Sequence, residues 1–376
     1  MTSLRVLQVC GLQDAQLRAP QQLLADWATT PLIAEAAQAA GVDVAVLQQH
    51  REQCRVERAG IGYHFLPLLN PSGEGLSPAC LQLLAALRPQ VLHLHGLGFG
   101  ALARALAQAC PGVPLVIQHH AERVATRPWL WWRQRQTLAL ARGFMVCAPE
   151  QAQAFARRRA LGRACRVYEV VESSCHFEPR DRAAAQARTG LRGEPCVLWL
   201  GHLNANKDPL TVLDGIERAS ERMPDLPGLQ LWMCFGEAPL LAEVKARIAG
   251  SSLLGRVHLL GRVPHAEVEW LLSAADILVQ GSHHEGSGYA VIEALACGAA
   301  PVVTRIPSFR ALVGDCPAAQ LWPTGDAAAL ADALVAAAAW SHEDRRHSVR
   351  ARFDAALSPQ QLGRQLRSAY EDLLNA

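Results

Sequence analysis

A glycine-rich loop flanked by two glutamates carries the clearest chemical signal in the sequence. It reads Glu-Gly-Ser-Gly-Tyr-Ala-Val-Ile-Glu from Glu285 to Glu293, and it follows a predicted strand that ends at Gln280. The two glycines let the backbone approach a ligand closely, and the free N–H groups of a helix that begins near Gly288 favour an anion. Glu293 falls in the second turn of that helix, where its carboxylate can accept a pair of hydroxyl hydrogen bonds such as a ribose offers. A helix cap beside a surface glutamate is the alternative, but the two glutamates together favour a ligand site.

A second loop between a predicted strand and a predicted helix runs from Leu200 to Pro209 and contains Lys207. The chain has 34 arginines and only one other lysine, Lys245. A lysine in so arginine-rich a chain suggests a role for a compact ammonium group, and the role that fits this loop is neutralising phosphate charge. An exposed lysine ahead of a helix is the alternative for this residue taken alone.

Four histidines stand at the ends of two predicted strands in the first half, where parallel strands open on a ligand cleft. His93 and His95 end one strand, and His119 and His120 end the next. Histidines that only form hydrogen bonds at strand ends are one alternative to a functional role. A metal site built from all four is another, although the spacing is not diagnostic of a metal.

A run of aromatic residues and arginines, residues 129–135, follows these histidines. It is either an interfacial or acceptor-binding patch that includes Trp129, or a helix that packs its tryptophans against the sheet. The surrounding half is basic, because residues 1–190 carry 20 arginines and 13 acidic residues, whereas residues 191–376 carry 16 basic and 21 acidic residues. The basic half could therefore face an anionic acceptor or a membrane surface.

The elements that position these residues alternate between strand and helix, twice along the chain. In the first half, strands are predicted at residues 4–10, 42–47, 90–95, 113–119 and 142–148, and helices at 30–40, 77–87, 101–110 and 149–159. After a linker near residues 172–194, strands are predicted at 196–200, 229–235, 257–260, 276–280 and 300–304, and helices at 209–222, 239–249, 265–274, 289–296 and 327–340.

This alternation predicts an α/β protein with two Rossmann-like, doubly wound parallel-sheet domains that face a cleft. The predicted domains are residues 1–180 and residues 181–357. A final helix in residues 358–376 could pack back at the domain junction.

Length and composition exclude several other classes of protein. Half of the 376 residues are hydrophobic and 19% are charged, which is a globular composition. No run of 18 apolar residues occurs, and the apolar run at residues 4–10 is too short for a signal peptide or a membrane span, so a cytoplasmic protein is predicted. The eleven cysteines form no C-x-x-C pair, which favours free thiols in a reducing compartment. A dinucleotide dehydrogenase is disfavoured because no G-x-G-x-x-G follows the first strand.

The motifs of the second half resemble those of the retaining glycosyltransferases of family four, which have the GT-B fold. The E-G-x-G-x-x-x-x-E hallmark of that family is matched at every fixed position from Glu285 to Glu293, and its donor loop G-R-x-x-x-x-K is matched at Gly201 and Lys207. A G-x-V segment is present at residues 261–263, and an Ala-Cys-Gly turn followed by Pro-Val-Val is present at residues 296–303. The resemblance is close over residues 195–340 and weaker in the first half.

The resemblance implies a role for each matched residue. Glu293 would bind the nucleotide ribose, Glu285 would contact the donor sugar near its reacting face, and Lys207 would bind the diphosphate. The residues implied in donor binding are Gly201, His202, Lys207, Arg262, Val263, Glu285, Gly286, Ser287, Gly288, Tyr289 and Glu293. The residues implied in catalysis are His120, Glu285 and Lys207. The further candidates on the acceptor side are His119, His95 and Trp129.

The implied reaction is metal-independent transfer, with retention of configuration, of a sugar from a nucleoside-diphosphate sugar to a glycan, lipid-linked or small-molecule acceptor. No cofactor, metal or nucleic acid is expected. The protein would be cytoplasmic, with peripheral contact to the inner face of the membrane through its basic N-terminal half as a further expectation. A sugar-nucleotide epimerase on the same fold and a non-catalytic nucleotide-sugar binder are the alternatives. His202 stands where the family has arginine, and it could act as a cation or as a neutral hydrogen-bond donor.

Overall fold

The computed structural model describes residues 4–27, 29–222 and 228–375, and the chain divides into two compact units. The first unit is Met1–Ser174 together with Pro359–Ala376, and the second is Cys175–Ser358. The first boundary therefore lies six residues before the predicted one, and the C-terminal helix belongs to the first unit. Each unit is built around one sheet with helices packed on it, as the alternating sequence pattern predicts.

The sheet of the first unit contains eight strands in the described residues. They are β1 (Leu4–Cys10), β2 (Val42–Gln49), β3 (Cys54–Arg58), β4 (Ile61–Leu66), β5 (Val91–His95), β6 (Leu115–Gln118), β7 (Gly143–Val146) and β8 (Arg166–Glu169). Their order is β3-β4-β2-β1-β5-β6-β7-β8, and every pair is parallel except β3 and β4. The antiparallel edge was not predicted, because its tight turn is made by Ala59 and Gly60, both at positive φ, and not by an Asn-Gly or Asp-Gly pair.

In the described residues, six helices of the first unit precede its C-terminal one, and four of them, α1, α3, α5 and α6, have a proline in the first turn. They are α1 (Pro20–Asp26), α2 (Thr29–Ala39), α3 (Pro78–Leu87), α4 (Gly100–Ala109), α5 (Pro128–Ala139) and α6 (Pro149–Arg157). Buried Leu, Ile and Val side chains of β1, β5 and β6 meet those of α3 and α4 in one core. This core fixes the carboxyl ends of β5 and β6, where the predicted histidines lie.

The sheet of the second unit is parallel throughout. Its strands are β9 (Cys196–Gly201), β10 (Gln230–Phe235), β11 (Val257–Gly261), β12 (Ile277–Gln280), β13 (Ala300–Thr304) and β14 (Gln320–Trp322). Their order is β11-β10-β9-β12-β13-β14, so the direction of winding reverses between β9 and β12. The loops that follow these two strands border the crevice where open α/β sheets bind ligands.

The helices of the second unit are α7 (Arg182–Thr189), α8 (Pro209–Arg222), α9 (Leu241–Ala249), α10 (His265–Ala274), α11 (Tyr289–Cys297), α12 (Pro307–Val313), α13 (Ala327–Ala338) and α14 (His342–Ala356). The interpretation of residues 172–194 as a linker was wrong, because α7 lies within them. The side chain of Asp181 caps α7 by accepting the N–H of Ala184 at 2.8 Å, and Gly190 ends it in the left-handed conformation.

A buried carboxylate, Asp276, ties several of these elements together at the start of β12. It contacts the guanidinium groups of Arg345 at 2.5 Å and Arg182 at 2.8 Å, and it accepts the backbone N–H of Cys196 at 2.9 Å. Burial raises the pKa of Asp276, but the hydrogen bond from His342 and the charges of the two arginines lower it by more. The carboxylate therefore remains ionised and joins α7, α14 and β9.

The final helix, α15 (Pro359–Leu374), packs on α2 of the first unit. Gly363 is at the crossing, where a Cβ atom would lie 2.2 Å from the carbonyl oxygen of Ala36. Further along, the hydroxyl of Tyr370 lies 2.7 Å from Nδ1 of His93. Over the described residues, the structure contains no helix with the length and apolar character needed to cross a membrane.

Candidate functional site

The two loops at the winding reversal of the second unit bring Lys207 and Glu285 into contact. Nζ of Lys207 lies 2.5 Å from Oε1 of Glu285, although the residues are 78 positions apart. Both side chains are largely buried, with exposed fractions of 20% for the lysine and 14% for the glutamate. A charged pair of this kind, partly removed from water at a strand–helix loop, offers both a cation for phosphate and a carboxylate for hydroxyl groups.

Three polar residues that the sequence analysis missed hold these loops together. The side-chain amide of Asn206 donates to the backbone carbonyl of His284 at 2.9 Å, and the backbone carbonyl of Asn206 accepts the N–H of His283 at 2.8 Å. Nε2 of His283 in turn lies 3.1 Å from the carboxylate of Asp208. The positions of Lys207 and Glu285 are therefore set by bonds between the loops as well as by their own contact.

The glycine-rich loop leads into α11 as predicted. Gly288 caps the helix at φ +93°, and a Cβ atom there would lie 2.5 Å from Cε1 of Phe309, so only glycine fits. Ser287 is fully buried, and Gly286 and Tyr289 flank the turn. The first-turn N–H groups of α11 thus begin directly after the loop that carries Glu285.

Glu293 lies in the second turn of α11 and has a partner that the sequence did not reveal. Its Oε1 lies 2.7 Å from Nε2 of His265, the first residue of α10. The hydrogen bond with Glu293 raises the pKa of His265 by more than burial lowers it. The carboxylate is 14% exposed, so part of its hydrogen-bonding capacity is used by the protein itself.

His202 and Arg262 share a third part of this site, above the end of β10. A Cβ atom on Gly236 would lie 3.2 Å from the imidazole of His202 and 3.5 Å from a guanidinium nitrogen of Arg262, so both side chains pass over this glycine. Nδ1 of His202 accepts the backbone N–H of Glu237 at 3.0 Å. Because this bond requires an unprotonated Nδ1, it favours the neutral tautomer with hydrogen on Nε2. Gly201 is the last residue of β9, and Val263 lies two residues after the end of β11. Both strands flank β10 in the sheet, so these predicted donor-side residues lie at the ends of neighbouring strands.

In the first unit, the predicted histidine His120 forms a dyad with a glutamate that the sequence analysis did not select. Its Nδ1 lies 2.5 Å from Oε1 of Glu172, and its Nε2 lies 3.2 Å from Nδ1 of His95. The backbone N–H of His120 donates to Glu122 at 2.6 Å. Burial lowers the pKa of His120, but the hydrogen bond and charge of Glu172 raise it by more.

The other histidines are more deeply buried. The ring of His95 stacks on that of His93 at 4.3 Å, and burial lowers the pKa of His93 to about 3, so neither ring is charged near neutrality. His119 packs edge-on against Phe144 and Phe155, and its Nε2 bonds to the carbonyl of Glu122 at 2.9 Å. His120 is thus the histidine of this group with the greatest access to a ligand. Within the described part of the chain, no group of three histidine, cysteine, aspartate or glutamate side chains is placed to hold a metal ion.

Comparison with known proteins identifies the family. Residues 27–169 match the family described as Glycosyl transferase 4-like domain, and residues 181–352 match Glycosyl transferases group 1. The chain is a GT-B glycosyltransferase of family four. The family, fold class and enzyme class predicted from the sequence are confirmed.

Relatives of this glycosyltransferase differ in the molecules that their names describe. A 2-deoxystreptamine N-acetyl-D-glucosaminyltransferase of Streptomyces fradiae is 27% identical over 67% of this chain, and the match spans 63% of that relative, less than two thirds of its length. A GDP-mannose:cellobiosyl-diphosphopolyprenol alpha-mannosyltransferase of Xanthomonas campestris is 27% identical over 80% of this chain and 76% of its own. Sucrose-phosphate synthase from Thermosynechococcus elongatus superimposes with a TM-score of 0.69 over 99% of both chains at 19% identity, which shows the fold. These matches do not favour an epimerase or a non-catalytic binder.

Trp129 of the glycosyltransferase lies on the surface. Its side chain and that of Trp132 are more than half exposed, and Leu130 between them is 39% exposed. Trp131 alone turns inward, against the core of the first unit. The alternative in which this helix packs its tryptophans on the sheet therefore describes Trp131 only, and Trp129, Leu130 and Trp132 form an exposed apolar patch.

Proposed function

We propose that this glycosyltransferase transfers a sugar from a nucleoside-diphosphate sugar with retention of configuration and without a metal ion or other cofactor. The single observation that carries the proposal is the contact between Lys207 and Glu285 at the winding reversal of the second unit. It pairs a cation suited to a diphosphate with a carboxylate suited to sugar hydroxyls, beside the amino terminus of α11.

The proposed reaction takes place on one face of the donor sugar. The bond from the anomeric carbon to the β-phosphate oxygen breaks, and a bond from that carbon to the acceptor oxygen forms on the same face. The proton of the acceptor hydroxyl passes to the departing diphosphate. Lys207, Nε2–H of His202 and the first-turn amides of α11 stabilise the charge that develops on the leaving group, which is the task a metal ion would otherwise perform.

The remaining assignments follow the local contacts. Glu293 accepts hydrogen bonds from the ribose, and His265 orients its carboxylate. Arg262 and Val263 border the base. Glu285 contacts the donor sugar and keeps Lys207 in place until the diphosphate arrives. His120 faces the acceptor side, with Glu172 fixing its ring.

The acceptor is proposed to be a small molecule, a glycan or a lipid-linked saccharide, which is the range of chemistry named for the relatives. The exposed patch of Trp129, Leu130 and Trp132 on the basic first half supports peripheral contact with a membrane. Binding to vesicles of phosphatidylglycerol should then weaken as salt rises, because the screening length falls to about 8 Å at physiological ionic strength. Vesicle binding that is absent at low salt would contradict this part of the proposal.

The decisive experiment separates ribose binding from turnover. Glu293→Ala should weaken the binding of the preferred nucleoside diphosphate in calorimetry by about 10-fold or more, because the ribose loses a charged acceptor worth about 1.5–3 kcal/mol. Glu285→Gln should retain nucleotide affinity within a few-fold and lose most of its turnover. The anomeric configuration of the product, read by NMR, tests retention. Normal transfer by both variants, or an inverted product, would contradict the proposal.

A further inference from the structure

A cavity of about 580 Å³ opens within the first unit, between the loop that follows β6 and helix α5. We call it the arginine cavity, because three arginines line it: Arg123, Arg127 and Arg133. All three side chains are exposed to solvent, and α5 begins at Pro128, directly after Arg127. The cavity therefore combines three guanidinium groups with the positive end of a helix dipole.

The walls of the arginine cavity are held by hydrogen bonds before any ligand arrives. The side chain of Gln134, on α5, accepts the N–H of Ala125 and donates to the carbonyl of Arg123, both at 2.9 Å. From the other side, Arg158 donates to the carbonyl of Ala125 at 3.1 Å. The loop is thus fixed at both edges, so the arginines are presented from a rigid backbone, which reduces the ordering cost of binding.

One residue in the wall of the arginine cavity, Glu122, is hydrogen-bonded to the backbone of His120. Glu122 lines the cavity, and its carboxylate accepts the N–H of Leu97 and the N–H of His120, each at 2.6 Å. These two bonds offset part of the negative charge that Glu122 brings to the wall. Glu122 therefore links the wall of the cavity to the loop that carries the histidine assigned to the acceptor side.

We propose that the arginine cavity is a subsite for a phosphate or diphosphate group carried by the acceptor. The inference rests on the proposed function, because it assigns His120 to the acceptor side. A planar guanidinium group can donate two parallel hydrogen bonds to phosphate oxygens. The positive charge of the three arginines that line the cavity also exceeds the negative charge of the single carboxylate of Glu122. Leu130 lines the same cavity, and its exposed neighbours on α5, Trp129 and Trp132, offer apolar surface where a lipid tail attached to that phosphate could enter the membrane interface.

The test is arginine labelling with phenylglyoxal, read residue by residue by mass spectrometry. Inorganic pyrophosphate should protect Arg123, Arg127 and Arg133, and protection should decline as salt rises. In the double variant Arg127→Gln/Arg133→Gln, the pyrophosphate concentration that half-protects Arg123 should rise by about 10-fold or more, because two charge-assisted contacts are lost. The single variants Arg133→Gln and Arg135→Gln form a matched pair: both residues lie on α5 and each change removes one positive charge, but only Arg133 lines the cavity, so only Arg133→Gln should weaken protection.

A second arm identifies the source of the phosphate. Phosphatidylcholine vesicles that contain a polyprenyl diphosphate should protect the same arginines if the acceptor is lipid-linked, and Trp129→Ser/Trp132→Ser should then abolish protection by vesicles but not by pyrophosphate. Protection by pyrophosphate alone identifies a water-soluble phosphorylated acceptor. Either result supports the subsite.

The inference is overturned if neither probe protects Arg127 and Arg133, or if Arg135→Gln weakens protection as much as Arg133→Gln does. The proposed function is tested by a separate measurement, the binding of a nucleoside diphosphate. Lys207→Ala should abolish nucleoside-diphosphate binding in calorimetry and leave arginine protection unchanged. If nucleotide binding persists in the wild type while the arginines stay unprotected, only the subsite is wrong.

Discussion

The dyad of His120 and Glu172 makes the stability of the first unit depend on pH in a predictable direction. Because Glu172 raises the pKa of His120, the charged pair stabilises the fold fully below the ordinary histidine pKa of about 6.5, and this contribution is lost as pH rises through the raised pKa. The contact is 2.5 Å long, and the side chains are 27% and 10% exposed, so screening by water is limited.

Glu172→Gln converts this charge-assisted bond into a neutral one. Hydrogen bonds to charged groups contribute about 1.5–3 kcal/mol and neutral ones about 0.5–1.5 kcal/mol, so the variant should lose about 1–1.5 kcal/mol near pH 6. For a unit of this size that loss lowers the melting temperature by about 2–6 °C. The loss should shrink at pH 9, where His120 is neutral in both proteins.

Calorimetric unfolding at the two pH values measures this difference, and NMR titration of His120 should show that its pKa falls in the variant. Glu169→Gln is the matched control, because Glu169 is exposed on β8, three residues away. Equal destabilisation at both pH values, or an unchanged His120 titration, would refute the assigned coupling.

Three further predictions concern the second unit and the reaction. Asp276→Asn should destabilise the protein by about 3–5 kcal/mol in denaturant unfolding, because Arg345 is left buried without its counter-charge, whereas Asp332→Asn on the surface should change little. Gly236→Ala should raise the donor KM several-fold with little change in melting temperature, since the new Cβ displaces His202; an unchanged KM would remove His202 from the donor site. Transfer activity should survive exhaustive chelation by EDTA, and full loss that magnesium or manganese restores would contradict the proposed charge stabilisation by protein groups.

The sequence predicted those parts of the site whose signal is local. The loops with Lys207 and Glu285 are marked by glycine and charge between a strand and a helix, and the strand–helix alternation predicts which strand ends carry them. The positive φ of Gly288 at the start of α11 follows in the same way, because glycine is the residue that adopts this backbone conformation without strain. These features depend on neighbours within a few residues, so a single sequence contains the necessary information.

The partners of these residues could not be predicted, because they depend on tertiary contacts. Glu172 is 52 positions from His120, and His265 is 28 positions from Glu293. Glu172 also lies in a charged stretch that gives no periodic signal. Helix α7, in the same stretch, buries only Ala185 among its eight residues, so it has almost no apolar stripe to recognise. Its cap at Asp181 and its terminal Gly190 were the signals available.

The return of α15 to the first unit has a consequence for biosynthesis. Helix α15 packs on α2, and its Tyr370 bonds to His93, so the first unit is incomplete without it. A ribosome must therefore translate the whole of the second unit before the first unit receives α15. The second unit is continuous in sequence and can fold as soon as it emerges, whereas the first waits for the last described segment. An isolated first unit should therefore be expressed as residues 4–174 joined by a linker to residues 359–375, and a circular permutant that places α15 ahead of β1 would let the two units mature in the order in which they are made.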